Sequence, residues 1–254
     1  MNHPNTRDSH PTRPRPLALI LLAAALLSSS ACQMARMVLP PNLAAEAREM
    51  VCVGRQGFKF NEAFDFAPFK VLDVHRTWTT IQGWDGFWFS SARASQRYEF
   101  MTQEPGGPYW DARCAVGAAV TDVEIRNFLG GDLKIALDGG QTLLGLLRER
   151  GYKAWTLALG QSVSERSLSG ILEKGNVRIE IRAQHQLART SLGSFEAAGF
   201  ILTLEGEPVA AVETLNRGAV WIHRGVKPEI RSVLAAAAAA LLLYQDLLAL
   251  DLTS

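Results

Sequence analysis

Three cysteines are all that this 254-residue chain carries, and none stands in a C-x-x-C pair. There is no H-E-x-x-H either, so the commonest short signatures of a zinc site are missing. No G-x-S-x-G elbow presents a serine nucleophile, and no G-x-x-x-x-G-K loop offers a phosphate cradle. No acidic loop has the spacing of a calcium-binding EF-hand. Charge of one sign is lacking too. The 26 basic and 25 acidic residues leave a formal +1, whereas a nucleic-acid binder would normally show a strong basic excess. Long apolar runs are also absent. The two longest cover residues 17–27 and 233–243, eleven residues each, and a helix needs about 20 to cross a bilayer.

What is present is an ordinary globular mixture, 48% hydrophobic and 20% charged. Its length suffices for one large domain, or two small ones, with a sizeable core.

The chain opens on an address. "MNHPNTRDSHPTRPRP" holds Arg7, Arg13 and Arg15 against Asp8, and an apolar stretch of eleven residues and a small-residue segment follow. That order of basic, apolar and small regions defines a secretory signal peptide, expected over residues 1–31. The segment ends "SSAC", which resembles a bacterial lipobox, with Ser29 where that pattern usually has leucine. The resemblance implies that Cys32 is lipidated, with palmitate among its acyl chains, and becomes the new N-terminus. Gln33 follows, and in Gram-negative lipoproteins a residue other than aspartate there resembles the default sorting to the outer membrane. Removing residues 1–31 leaves 23 basic and 24 acidic groups, so nothing recommends an anionic partner.

With Cys32 carrying lipid, Cys52 and Cys114 remain. An even remainder in an oxidising compartment is expected to form one disulfide, worth about 3–5 kcal/mol through the loop it closes. The alternative is two small buried thiols that never meet.

Residues 32–55 read as a tether stiffened by Pro40 and Pro41, with Asn42 placed to cap a short helix over "LAAEAREM". Residues 56–254 then read mainly as strands. "VRIEIRAQ" alternates Val177, Ile179, Ile181 and Ala183 against Arg178, Glu180, Arg182 and Gln184. "LKIAL" points Leu133, Ile135 and Leu137 one way, and "AWTLALG" does the same with Trp155, Leu157 and Leu159. Three strands share residues 199–225, with turns at Glu205-Gly206-Glu207 and Asn216-Arg217-Gly218. Further strands are expected over 70–80, 97–102, 109–116 and 167–173. "QTLLGLLRERG" suits a helix or a strand equally. The total is ten to twelve strands, the spacing of a barrel or a sandwich.

"RSVLAAAAAALLLYQDLLAL" closes the chain with a helix expected over 228–248, opened by Pro228 and Glu229. It is apolar all round yet too short to span a membrane, so it belongs inside protein. The alternative makes it a transmembrane span in an integral membrane protein. Antiparallel strands followed by one such helix resemble the tubby-like fold of tubby C-terminal domains, phospholipid scramblases and plant LURP-one-related proteins. The likeness is one of layout, carried by residues 199–247. It implies a closed antiparallel barrel of about twelve strands wrapped around the hydrophobic C-terminal helix. Neither the calcium of scramblases nor the phosphoinositide contacts of tubby domains can be matched to residues here.

The search for chemistry returns little. Beyond the leader, His75, His185 and His223 stand far apart, so no metal site, catalytic group or cofactor is expected. "TWTTIQGWDGFWFS" gathers Trp78, Trp84, Phe87, Trp88 and Phe89 between glycines. These either plug one end of the barrel or form a loop that touches lipid or a partner. The expectation is an outer-membrane lipoprotein facing the periplasm, a non-catalytic binding or structural module for lipid or an envelope partner. The alternative is an envelope hydrolase whose site is assembled only in three dimensions.

Overall fold

The computed structural model describes residues 34–55, 62–78, 93–118, 122–128, 131–136, 142–161, 167–190, 193–194 and 196–244. The chain divides into two units, Met1–Met34 and Ala35–Ser254, and the fold is that of the second. It opens with helix α1 (Pro41–Glu46) and strand β1 (Ala47–Val51). Then come β2 (Glu62–Phe66), β3 (Phe69–Trp78), β4 (Arg93–Gln103), β5 (Tyr109–Ala118), β6 (Asp122–Phe128) and β7 (Gly131–Ala136). The second half holds β8 (Thr142–Glu149), β9 (Trp155–Gln161), β10 (Leu168–Lys174), β11 (Val177–Gln184), β12 (Gly199–Leu204), β13 (Glu207–Glu213) and β14 (Ala219–His223). Helix α2 (Pro228–Leu243) follows.

Twelve strands form one antiparallel sheet in the order β1-β14-β13-β12-β11-β10-β9-β8-β5-β4-β3-β2, and β6 and β7 pair separately as a hairpin. The sheet curls into a nearly closed barrel. Its two edges meet just beyond β1, where Val53 donates to the Asp65 carbonyl at 2.8 Å and accepts from the Asp65 amide at 2.9 Å. Closure removes the exposed edges that make an open sheet prone to pairing with other chains.

The inside is packed by division of labour. The wall contributes large residues, among them Phe64, Phe66, Phe69, Tyr98, Phe100, Trp110, Trp155 and Phe200, all buried in one cluster with α2. The helix contributes small ones: Ala236 to Ala240 have no exposed surface, and every residue from Val233 to Leu243 is buried. Sixteen residues make about 24 Å of helix, enough to thread the barrel. At its start Arg231 reaches Glu104 at 2.7 Å, beside the β4–β5 turn. Near its end a Cβ on Gly218, in the β13–β14 turn, would meet Leu242 Cδ2 at 2.7 Å. Helix and wall therefore hold each other: the strands give the helix its apolar surroundings, and the helix fills the strands' inner faces.

The two ends of the barrel differ because up-and-down strands connect at alternate ends. One end has the short turns 67–68, 104–108, 150–154, 175–176 and 205–206. At the last, Glu205 and Gly206 both take positive φ, 53° and 86°, which a two-residue hairpin turn demands. The other end carries the connections 52–61, 79–92, 119–141, 162–167, 185–198 and 214–218.

Several expectations need correction or completion. Residues from Ala35 onward are not a free tether, because they belong to the compact unit. The expected helix over residues 43–50 is shorter and starts earlier, at Pro41, and residues 47–51 are strand β1. Asn42 does not cap it. Pro40 holds the cap position, and the Asn42 side chain instead donates to the Pro208 carbonyl at 3.0 Å. The ambiguous segment at 141–151 is strand β8, buried between β5 and β9. The closing helix ends at Leu243 rather than 248, because Tyr244 turns extended with ψ 135°. "LKIAL" lies mostly in β7, outside the twelve-stranded sheet.

Candidate contact surface

Of the residues singled out in sequence, Cys32, Trp84, Phe87, Trp88 and Phe89 lie outside the described residues. Trp78 is the last residue of β3, and Arg93 opens β4. The aromatic-rich connection between them therefore leaves and rejoins the barrel at its long-connection end.

The expected disulfide is not formed. Cys52 and Cys114 are both free and buried. Cys52 follows β1 and Cys114 is in β5, four strands apart around the closed wall. At about 4.8 Å per strand that separation is far beyond the roughly 7 Å between Cα atoms that a disulfide tolerates. Burial pushes both thiols up to about 12, against which Arg55 pulls Cys52 down slightly.

Inside the barrel a few polar groups serve the helix. Tyr98 donates its hydroxyl to the Ala240 carbonyl at 2.8 Å. Burial holds that phenol well above its ordinary value, and Cys114 beside it adds to the effect. Arg76 donates to the Leu243 carbonyl at 3.1 Å, so a buried cation sits at the negative end of the α2 dipole. Arg76 faces inward because of a bulge. The β3–β4 register shifts between Leu72 and His75, where Asp73 takes φ 50°. Such a shift flips every later side chain to the other face. It turns His75 outward and Arg76 inward, and sequence alternation alone gives no sign of it.

The three histidines do not converge. His75 lies exposed on β3. His185, after β11, bonds through Nδ1 to the Ser194 carbonyl at 3.2 Å. His223, ending β14, spends both ring nitrogens: Nε2 is 3.0 Å from Glu46, and Nδ1 accepts from the Gly225 amide at 3.0 Å. Neither nitrogen is left to act as a base. Among the described residues no group of three His, Cys, Asp or Glu side chains could hold a metal ion, and no helix is long and apolar enough to cross a membrane.

The most developed polar arrangement lies outside the wall, where residues 35–46 form a strap across β12, β13 and β14. Its anchor is Glu213, buried at 3% exposure. Its carboxylate accepts from the Met37 amide at 2.7 Å and lies 2.9 and 3.1 Å, by its two oxygens, from Arg36 Nε. Arg36 also reaches Glu49 at 2.6 Å and stacks over the Trp221 ring at 5.6 Å. Burial works against its charge, but Glu49 and Glu213 outweigh that and hold the guanidinium above its ordinary value. Backbone pairing continues the strap: Val38 donates to the Gln186 carbonyl at 3.0 Å, and Ala188 to the Arg36 carbonyl at 2.8 Å. Beneath it a second apolar cluster joins Met37 and Leu43 to Ala198, Ala211, Ala219 and Trp221. Gly199 has no side chain because a Cβ there would collide with the Val212 carbonyl and Met37 Sδ. Sequence reading missed the strap, since "MARMVLPPNLAAEAREMV" shows no clean alternation.

Comparison with protein families, with characterised proteins and with solved structures finds no match to this chain.

Proposed function

We propose that this protein is a lipoprotein of a Gram-negative envelope, held by lipid on Cys32 in the outer membrane and facing the periplasm, and that its tubby-like barrel is a non-catalytic binding or structural module. The observation that carries the reading is a lipobox-like end to the leader, with Cys32 three residues before the compact unit that begins at Ala35. The filled interior supports a module that works through its outer surface, because α2 occupies the space where a barrel would hold a small ligand. The three histidines lie far apart, and His185 and His223 are already bonded, so the hydrolase alternative has no observation in its favour among the described residues.

The test is Cys32→Ser in the full precursor, with acyl-lipid labelling and membrane fractionation. Wild type should carry label and sediment with outer membranes; the variant should lose label and appear as precursor or as free periplasmic protein. An unlabelled wild type, or a variant that fractionates unchanged, overturns the lipid anchor.

A further inference from the structure

The strap is not the only cover on the outside of the wall. Cross-strand register fixes which residues share a face, because directly opposed residues point the same way. One row runs through Ala115, Leu144, Ala158, Ile171 and Glu180, from β5 across to β11. The row beside it runs through Cys114, Gly145, Leu157, Leu172 and Ile179. The side chains of that second row belong to the core around α2. The first row therefore faces outward, and its Glu180 is exposed as an outer residue should be. Leu144, however, is only 1% exposed, and Ala115 and Ala158 on either side of it are buried too. So is Thr156, in the next outward row opposite Leu146. Ala115, Leu144 and Ala158 belong neither to the cluster inside the barrel nor to the one under the strap. A leucine on the convex side of a wall loses contact with water only when something lies over it.

The chain supplies a segment of the right size at the right place. Strands β5 and β8 pair directly, with Gly117 opposite Thr142, so a hairpin loop of about two to five residues would join them. The connection instead runs through residues 119–141 and includes β6 and β7, which form a two-stranded sheet of their own. A lone hairpin is marginal in water, so this one needs a surface to lie on. Its sequence suits one. Strand β6 alternates Asp122, Val123, Glu124 and Ile125, and the register sets Val123 opposite Ile135 and Ile125 opposite Leu133. Those four apolar positions fall on one face of the hairpin, and the Glu124–Lys134 pair falls on the other. The seven residues of β6 extend about 23 Å. The covered stretch of β8, from Thr142 to Leu146, takes about 13 Å.

We propose that the β6–β7 hairpin folds back along the outside of the barrel and seats its apolar face on Ala115, Leu144 and Ala158. It covers β5, β8 and β9 as the strap covers β12 to β14. Both ends of the segment are tied to the strands it covers, which brings it to this patch ahead of any other part of the chain. Apolar surface on hairpin and wall leaves water together. Nothing in this arrangement depends on a lipid at Cys32. For a module that works through its outer surface, this part of the wall is occupied by the chain itself, and a partner arriving there meets the hairpin.

The full-length protein is produced in cells with photoreactive benzoylphenylalanine in place of Leu146, which is half-buried at the rim of the patch. After irradiation, mass spectrometry identifies the joined peptides. The main product should join position 146 to a residue within 119–141. A main product with any other segment, with another protein or with lipid overturns the proposal, and so does the lack of a product with the hairpin. A second measurement uses the double variant Val123→Asp, Ile125→Asp and hydroxyl-radical footprinting. Modification of Leu144 should rise several-fold over wild type, while Leu157, on the inner face, stays protected. Equal protection of Leu144 in variant and wild type would show that the hairpin is not its cover. The crosslink is read in a chain with the hairpin unchanged, so it decides the matter even where the double variant fails to fold.

Discussion

Ala237 and Ala238 show most directly what the barrel asks of a single residue. Neither has any exposed surface, and both face walls of aromatic and leucine side chains. A larger residue has no space to enter, so Ala237→Leu should lower stability by about 1–3 kcal/mol, read as a fall in the denaturant midpoint with unchanged slope. Ala238→Asp should cost more, since a carboxylate there loses water and gains no partner. A variant as stable as wild type would mean that the helix does not fill the core. The two thiols make a second test. In the unfolded chain they ionise from about pH 9, and in the fold from about 12. The folded state keeps protons that the unfolded chain gives up, so their contribution is full below about pH 9 and is lost as the pH climbs towards 12. At neutral pH an alkylating reagent should reach neither thiol until denaturant is added. Prompt modification of the native protein would contradict their burial.

Among elements, α2 and the strap act on opposite faces of the same wall. Ending the chain at Ile230 removes the buried helix and leaves the inner aromatics facing a void or water. The expected product has no cooperative thermal melt. A truncated domain with a sharp melt and undiminished β circular dichroism would mean that the barrel does not need its helix. The strap is smaller and its removal milder. Glu213→Ala deprives the Met37 amide and one side of Arg36 of their acceptor, although Arg36 keeps Glu49. Leaving such groups unsatisfied costs about 1–3 kcal/mol. Hydrogen exchange should quicken at residues 36–39 with little change in α2, and uniform quickening everywhere would show that the strap is not a separate unit.

For the molecule as a whole, closure is the property at stake. A chain starting at Ala35 keeps β1, the strap and the Val53–Asp65 seam, and should melt at the temperature of the full-length protein. A chain starting at Cys52 loses β1 and uncovers Ala211, Ala219 and Trp221 on the outer wall. It also frees the edge of β14, which pairs with β1 in the intact barrel. Unpaired edges recruit other chains, so this form should melt lower and sediment as oligomers. Equal melting and a monomeric profile would show that the seam and strap contribute nothing.

Much of this was legible in the residues because it depends on local periodicity. Ile179 and Ile181 alternate with charged neighbours, Trp155, Leu157 and Leu159 share a face, and Glu205-Gly206 breaks the chain where only a tight hairpin fits. The alanine run likewise reads as a buried helix, since nothing apolar on every side is at rest in water and eleven residues cannot span a bilayer. Other features depend on neighbours distant in sequence. Strand β8 became a strand because β5 and β9 supplied ladders on both sides, which overrode a leucine pattern equally good for a helix. The bulge at Asp73 decided that Arg76 and not His75 would reach the helix end. Residues 35–51 fold because the outer wall offers them Glu213 and an apolar bed, neither visible from their own composition. Cys52 and Cys114 look like a pair when counted, but the closed wall holds them four strands apart. Counting knows nothing of distance, and in a barrel distance is set by strand order.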